Sequence, residues 1–533
     1  MLPEASPLLV QPVRTRLNVL MLDRASSIRA GPAEESLYSN LLRAPWRAAA
    51  IYAFAGVCYA LVMAASFLAA EEVAGDSNTT LVPSSLFPFP PPFRFLFLSW
   101  LHAWPIVLTV NLVAATTWRA KLATASVYFL VLAALGLVGV APSPTFSWGQ
   151  IVDAWILTNL LGTVLVPAFL TRRVRAVGPL VLIFMILAVL GANLAVIASV
   201  FEEYHAMAHL LEGVVKPYVF LIGFIILGFA VFGLGGGWLT LRWIGGRYER
   251  KKLSDQSITL DAIWLLFGVS QSIWLVVDGA AAWVPSCLLA FVVYKLVTWA
   301  GFSLLDHEAS LAGRIPKLLL LRVFSLGKRS ERLFEALAKH WRHVSSIQLI
   351  TGPDLATTTV EPHEFLDFLS GKLARRFIDK PQTLDLRLSE MDLEPDQDGR
   401  FRVNDFFCHA DTWRMVLSRL ADESDAVLMD LRAFSPQNSG AIFEINELIN
   451  EVPLERVVFV IDETTDEQFL LQTAQRAWER MKSSSPNLSS TSGQLRLFRM
   501  TGAHGTELRR LLRALCDASK STAPVDESKP ATV

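Results

Sequence analysis

The chain has 533 residues, of which 52% are hydrophobic and 18% are charged, and its formal net charge is −1. A balance this close to zero gives no overall attraction to nucleic acid, so we expect no nucleic acid partner. The 4 cysteines are scattered, and their spacing indicates neither a metal knuckle nor a disulfide framework. The average hides a division: residues 48–305 are dominated by long apolar runs, whereas residues 306–533 have the composition of a soluble domain.

The N-terminal segment, residues 1–46, is polar and contains several arginines. The first apolar run of membrane length begins only near Ala48. Because a secretory signal peptide needs an apolar run closer to the N-terminus, we expect none here. We predict that this segment is a cytosolic tail.

About eight apolar runs are long enough to cross a bilayer as helices, which takes about 20 residues each. These runs are residues 48–70, 95–117, 122–141, 151–170, 177–200, 215–243, 260–278 and 280–304. The sixth run is rich in glycine in its second half, which permits close helix packing or a kink, and we favour packing. The sequence therefore predicts a polytopic α-helical membrane domain over residues 47–305.

Basic residues mark every second loop of this domain. Arg119 and Lys121 follow the second run, residues 172–175 contain three arginines, and residues 242–252 contain three arginines and two lysines. The intervening loops carry few basic residues, and basic loops stay in the cytosol. We therefore expect an even number of spans, both termini in the cytosol, and a location in a bacterial plasma (inner) membrane. The lipid bilayer is the expected partner, and a homo-oligomer is left open.

The C-terminal part alternates short apolar runs with amphipathic segments, which is typical of a doubly wound parallel sheet. The predicted strands are residues 318–324, 347–351, 426–431, 456–461 and 495–500. We predict an α/β domain over residues 312–518 with five strands in the order 2-1-3-4-5. Residues 380–405 are interpreted as a polar, irregular excursion, and residues 519–533 as a disordered tail.

Residues 424–462 read as one strand–helix–strand unit, and the ligands of such sheets bind beyond the carboxyl ends of the strands. This places a set of polar side chains near any ligand: Asp430, Arg432, Ser435, Asn438, Ser439 and Asp462. The loop after the first strand adds Ser325, Lys328 and Arg329, which lie where a phosphate would bind. An alternative for that loop is a basic surface facing lipid headgroups.

Two stretches carry a resemblance to a known group. Residues 425–448, DAVLMDLRAFSPQNSGAIFEINEL, resemble the third strand and following helix of the TIR and nucleoside deoxyribosyltransferase-like group, and residues 319–331, LLLRVFSLGKRSE, resemble its first strand and loop. The resemblance implies a flavodoxin-like sheet. It also implies that a glutamate on that helix, here Glu444, cleaves the N-glycosidic bond of NAD or a nucleoside.

Glu444 has a second interpretation. Glu447 and Glu451 follow it at helical spacing, so all three carboxylates fit an acidic, solvated helix face. The functional hypotheses are therefore three: an α/β domain that binds a nucleotide-like ligand, NAD or another nucleotide, in signalling or stress response; an NAD or nucleoside N-glycosidase acting through Glu444; and a transporter with a regulatory cytosolic domain.

A separate polar face occurs in the segment after the fifth apolar run. Glu202, His205, His209 and Glu212 are spaced three, four and three residues apart, so they line one side of a helix. Two imidazoles and two carboxylates can bind zinc, iron or manganese. The alternative is the polar face of a helix at the membrane interface.

The predicted topology can be tested with reporter fusions after Thr80 and after Ser519. The first position lies in a loop poor in basic residues and the second follows the α/β domain, so the two fusions should give opposite signals. The measurement is the activity of a reporter that works on only one side of the membrane. Equal signals would refute the arrangement with an even number of spans.

Overall fold

We determined the fold from a computed structural model. It describes residues 17–22, 32–74, 91–140, 147–169, 178–199, 202–211, 216–277, 280–309, 316–322, 328–351, 377–489, 493–502 and 505–520. Ser325 and Glu212 lie outside these residues.

The first part of the chain is a helical bundle. Its helices are α1 (Pro32–Ala74), α2 (Pro91–His102), α3 (Pro105–Val113), α4 (Trp118–Val140), α5 (Trp148–Phe169), α6 (Gly178–Ala198), α7 (Glu202–Leu211), α8 (Pro217–Ala230), α9 (Gly237–Glu249), α10 (Asp255–Val277) and α11 (Ser286–Ala309). A π-helical segment, Val231–Gly236, joins α8 to α9.

Among the described residues, five helices are long and apolar enough to cross a membrane, or six if the bent pair α2 and α3 is one span. This count differs from the predicted number of about eight. Residues 95–117 are broken by a 43° bend where Pro105 opens α3. α6 and α10 are helical where spans were predicted but are not among the five. α10 carries Asp261 and lies inside the bundle, where neighbouring helices cover it and an apolar surface is not needed.

The second part is an α/β domain. Its elements after β1 (Asn18–Met21) are β2 (Leu318–Arg322), α12 (Lys328–Trp341), β3 (Ile347–Thr351), α13 (Pro381–Ser389), β4 (Val403–Phe407), α14 (Trp413–Glu423), β5 (Ala426–Asp430), α15 (Ser439–Glu451), β6 (Val457–Ile461), α16 (Glu467–Glu479), β7 (Gln494–Arg499) and α17 (Thr506–Lys520).

The strands form one parallel sheet in the order β1-β7-β6-β5-β2-β3-β4. The five predicted strands occupy the centre in the predicted order, but the predicted count of five is wrong because a strand is added at each edge. The stretch 380–405, interpreted as an irregular excursion, contains α13 and the start of β4. β1 comes from the segment predicted to be a tail, and it pairs with β7.

Alternate side chains of the strands enter two cores. Leu319 and Leu321 pack with α14, α15 and α16, whereas Leu318 and Leu320 pack with α12 and α17. Leu41 of α1 is fully buried in the second core. The N-terminal segment therefore completes the α/β domain, which extends beyond residues 312–518.

The pairing of β1 with β7 puts two distant parts of the chain on one side of any membrane. The helices α1 to α11 lie between them in the sequence. The number of complete membrane crossings between the two strands must therefore be even. The five helices alone do not satisfy this condition, so the bent pair α2 and α3 or another helix of the bundle must cross as well.

The π-helical segment explains how a glycine-rich helix packs against α6. Gly228 and Gly233 are five residues apart, which would separate them on a regular α-helix, but the extra residue of the π turn brings them to one face. A Cβ at Gly228 would lie 2.5 Å from the carbonyl oxygen of Gly191, and one at Gly233 would lie 2.8 Å from the Cβ of Ala188. A Cβ at Gly236 would have no atom within 4 Å.

Two alanine substitutions test this packing. Gly228→Ala should lower the unfolding free energy of the bundle by about 1–3 kcal/mol, because its methyl group meets rigid backbone. Gly236→Ala, the matched control, should be neutral or slightly stabilising, because alanine is the better helix former. Thermal unfolding in detergent measures both. An equal loss in the two variants would contradict the packing described for Gly228.

Candidate ligand site at the carboxyl ends of the central strands

The candidate site lies where β2, β5 and β6 end, at the same edge of the sheet. Asp430 is the last residue of β5 and is fully buried. Its carboxylate accepts hydrogen bonds from the hydroxyl of Ser330 (2.7 Å) and from Nε and Nη2 of Arg432 (2.8 and 2.7 Å). Arg432 also donates to the backbone carbonyl of Arg329 (3.1 Å), which ties the turn after β5 to the start of α12.

A second ion pair lies beside the first. Arg329 contacts the carboxylate of Asp462, the residue after β6, and Thr464 donates to that carboxylate from its backbone N–H (2.9 Å) and its hydroxyl (2.6 Å). Burial, the largest single influence, would raise the pKa of Asp462, but Thr464 and the charges of Arg329 and Arg432 together hold that pKa below its ordinary value. Asp462 is therefore an ionised acceptor that fixes the guanidinium of Arg329.

The four charges balance one another, and they differ in exposure. The side chains of Asp430, Arg432 and Asp462 are at most 4% exposed, whereas that of Arg329 is 45% exposed. Asp430 and Arg432 thus lie buried under the surface of the site. Arg329 is the charged group of this network that a ligand in solution can reach.

The turn after β5 is held in an unusual backbone conformation. Ala433 has a φ of 58°, which non-glycine residues rarely adopt and which costs about 1–3 kcal/mol. Neighbouring groups compensate: Phe434 is fully buried, its carbonyl accepts from the N–H of Asp466 (3.0 Å), and Thr465 donates to the carbonyl of Leu431 (3.1 Å). The loop after β6 therefore fixes the turn that carries Arg432.

The side chain of Asn438, the residue before α15, does not cap that helix. Its Oδ1 instead accepts from the backbone N–H (2.8 Å) and the hydroxyl (3.0 Å) of Ser435, which closes the Ser435–Asn438 turn. The start of α15 at Ser439 therefore keeps backbone N–H groups that this side chain leaves free, at the positive end of the helix.

Glu444 lies one turn and a half inside α15 and is only 4% exposed. Its Oε2 has no hydrogen-bond partner, and burial raises its pKa to about 8. Glu447 accepts from Ser418, and Glu451 pairs with Lys482 (2.6 Å). The solvated acidic face thus describes Glu447 and Glu451 but is wrong for Glu444, which is a buried carboxyl without a polar partner for that oxygen.

The remaining predicted residues are placed only in part. Lys328 is the first residue of α12, but its side chain and all of Ser325 lie outside the described residues. Glu202, His205 and His209 are exposed on α7, and Glu212 lies outside the described part. Within the residues that the structure describes, no group of three or more His, Cys, Asp or Glu side chains could hold a metal ion. The four-residue metal site stays a prediction.

Sequence reasoning placed Asp430, Arg432 and Asp462 at this edge but did not select Ser330. Asp462 had a visible signal, since it ends the apolar run of β6 as Asp430 ends that of β5. Ser330 had none, because a serine in the first turn of a helix is ordinary, and only the packing of α12 brings it to Asp430.

Comparisons with known proteins leave this site without a precedent. No protein-family model, no curated protein and no solved structure matches the chain. Any function for the site must therefore be argued from its own residues.

The buried carboxyl of Glu444 predicts a pH dependence of stability. The unfolded chain releases this proton near pH 4.3, whereas the folded domain keeps it to about pH 8. Its contribution to stability is therefore full at low pH and is lost as the pH rises between these two values. Glu444→Gln should remove this loss. Relative to wild type, its unfolding free energy should be higher by on the order of a few kcal/mol at pH 8 and nearly equal at pH 4.5.

Hydrogen exchange of the amides in β5 and β6 of the full chain, at a series of pH values, measures this opening free energy. Glu447→Gln is the matched control, because that carboxylate already has polar partners. If the opening free energies of wild type and Glu444→Gln change with pH in the same way, the carboxyl of Glu444 is not held neutral.

Proposed function

We propose that this protein is a multi-pass membrane protein whose α/β domain binds a nucleotide-like ligand and acts in signalling or stress response. The observation that carries the proposal is the pair of ion pairs at the carboxyl ends of β2, β5 and β6, from which the guanidinium of Arg329 reaches solvent. Doubly wound sheets bind their ligands at this edge. An arginine held by a carboxylate presents its remaining N–H groups in a fixed fork, which suits a phosphate.

The start of α15 supports the same ligand class. The helix follows the turn after β5 at this edge, and its first backbone N–H groups are not capped by Asn438. Helix N-termini of this kind favour phosphate groups. Arg329 and the start of α15 therefore suit an anionic ligand, which matches the resemblance of residues 425–448 to the TIR and nucleoside deoxyribosyltransferase-like group.

We further propose that the membrane is the plasma membrane and that the α/β domain lies in the cytosol. The basic loops at 172–175 and 242–252 support this orientation, because positive residues are retained on the cytosolic side. Both loops belong to the chain between β1 and β7, and the pairing of these two strands supports an arrangement in which both lie on the same side.

One observation favours an enzymatic alternative. Glu444 is buried, protonated at neutral pH and without a hydrogen-bond partner at Oε2. Burial of an unpaired polar atom costs free energy, and such groups are typical of functional sites. In the alternative, bound NAD or a bound nucleoside has its ribose beside Glu444, and the carboxyl assists cleavage of the N-glycosidic bond.

Nucleotide binding to the full chain in detergent tests the proposal. NAD and ATP should bind with micromolar affinity to wild type, measured by calorimetry, and Arg329→Ala should weaken binding at least about tenfold, because a charge-assisted hydrogen bond is lost. Arg387→Ala is the matched control, an arginine of the same domain that pairs with Glu390 on α13 (3.0 Å). Failure of both nucleotides to bind wild type would exclude the proposal.

The same samples separate the alternative. If the domain is a glycosidase, chromatography should show release of the free base from NAD or a nucleoside, and Glu444→Gln should abolish release while binding persists. Glu447→Gln should be nearly silent. Binding without release by wild type would leave the sensor and exclude the glycosidase.

A further inference from the structure

The α/β domain is joined to the helical bundle at the ends of three helices. At the first joint, Lys339 of α12 donates to the backbone carbonyls of Asn111 (3.3 Å) and Ala115 (2.8 Å), at the C-terminal end of α3. A helix C-terminus carries partial negative charge and unpaired carbonyls. A lysine from the sheet domain therefore caps a helix of the bundle.

The second joint lies at the C-terminal end of α9. Arg402 donates to the carbonyl of Tyr248 (2.5 Å), and its guanidinium stacks 3.9 Å from the centre of the Tyr248 ring. Asp396 holds the same guanidinium at 2.6 Å. Three residues after Tyr248, Lys251 pairs with Asp392 at 2.6 Å. The loop before β4 thus binds the turn between α9 and α10 through a hydrogen bond and ion pairs.

The third joint lies at the N-terminal end of α10. Arg342 donates to both oxygens of Asp255 (2.9 and 3.0 Å), and Arg400 lies 3.6 Å from the same carboxylate. Ser254 donates to Asp398. Asp255 suits the positive N-terminal end of α10 and pairs there with two arginines, whereas at the first two joints the cations meet helix C-termini directly.

α10 continues from this joint into the centre of the bundle through a series of polar contacts. Asp261 pairs with Lys295 of α11 (2.8 Å). Two turns and more beyond, the fully buried Gln271 donates to Asn159 of α5 (3.4 Å) and accepts from Tyr59 of α1 (3.4 Å). These contacts connect one rigid helix to three others.

The last of these contacts reaches the bend between α2 and α3. Asn159 donates to the carbonyl of Leu101 (3.0 Å), three residues before the bend ends at Trp104. Trp104 in turn donates to Thr163 of α5 (2.8 Å). A polar route therefore runs from the sheet domain, along α10, to the break in a candidate membrane span.

We propose that α10 couples the α/β domain to the bend between α2 and α3, with the contact of Arg342 and Arg400 with Asp255 as its latch. The side chain of Arg342 is only 6% exposed and that of Arg400 only 10%. Two such cations stay docked only while Asp255 balances them. Release of the latch frees the N-terminal end of α10, and the helix carries the shift to Gln271. The coupling requires no ligand and stands whether or not the domain binds a nucleotide.

Hydrogen exchange of the full chain in lipid nanodiscs tests the coupling. Asp255→Asn removes the charge and keeps the shape. It should accelerate amide exchange both in the loop 391–402 and around Gln271 in residues 266–274, by between about 5- and 100-fold. Glu394→Gln is the matched control in the same loop, since Glu394 is 80% exposed and should accelerate neither region.

Coupling is reciprocal, so the far end of α10 provides a second variant. Gln271→Leu should accelerate exchange in the loop 391–402, and Ser303→Ala, whose hydroxyl bonds only its own helix at Trp299, should not. If Asp255→Asn does not fold, Arg342→Lys should give the same pattern at smaller amplitude, because it keeps the charge without the forked geometry. If amide exchange is accelerated only near the mutated residue in both variants, α10 is a static anchor and the proposal is wrong.

Discussion

The pairing of β1 with β7 constrains the whole chain. Asn18–Met21 and Gln494–Leu497 align residue by residue, although the entire helical bundle lies between them in the sequence. Every helix that crosses away from the α/β domain must be followed by one that crosses back toward it. The helix ends on that side therefore face the α/β domain. The three joints at α3, α9 and α10 lie at such ends. Lys339 and Arg402 neutralise the partial negative charge at the C-terminal ends of α3 and α9, whereas Arg342 and Arg400 pair with Asp255 at the start of α10.

The joints with the helical bundle also contain buried charge. Arg342, Arg400 and Asp255 are at least 58 residues apart in the sequence, and the two arginines would be unfavourable in the interior without the carboxylate. At the ligand edge, Asp430 with Arg432 forms a comparable pair within three residues. The first group depends on the docking of two domains, whereas the second forms locally, so the ligand edge is the more robust of the two.

Part of the candidate site could be predicted because it is local. Asp430 ends the five-residue strand β5 and Arg432 comes two residues later, and the rule for doubly wound sheets places both at the ligand edge. Glu444 and Glu447 show the limit of such reasoning, since residues three apart on a helix lie only about 60° apart around its axis. Spacing alone therefore treats them as equivalent. The packing of α14 and α16 on either side of α15 decides that Glu444 is buried while Glu447 meets Ser418.

The sequence by itself determined the division into apolar helices and an α/β domain, and the order of the five central strands, because apolar runs of strand length alternate with amphipathic helices and right-handed crossovers leave few arrangements. Only the tertiary structure decided the two edge strands, β1 and β4, which are four and five residues long and lie in polar segments. It also decided which polar helix, α10, is buried and which helix is bent. Short edge strands and buried polar helices carry weak local patterns, and contacts with partners far away in the sequence stabilise them.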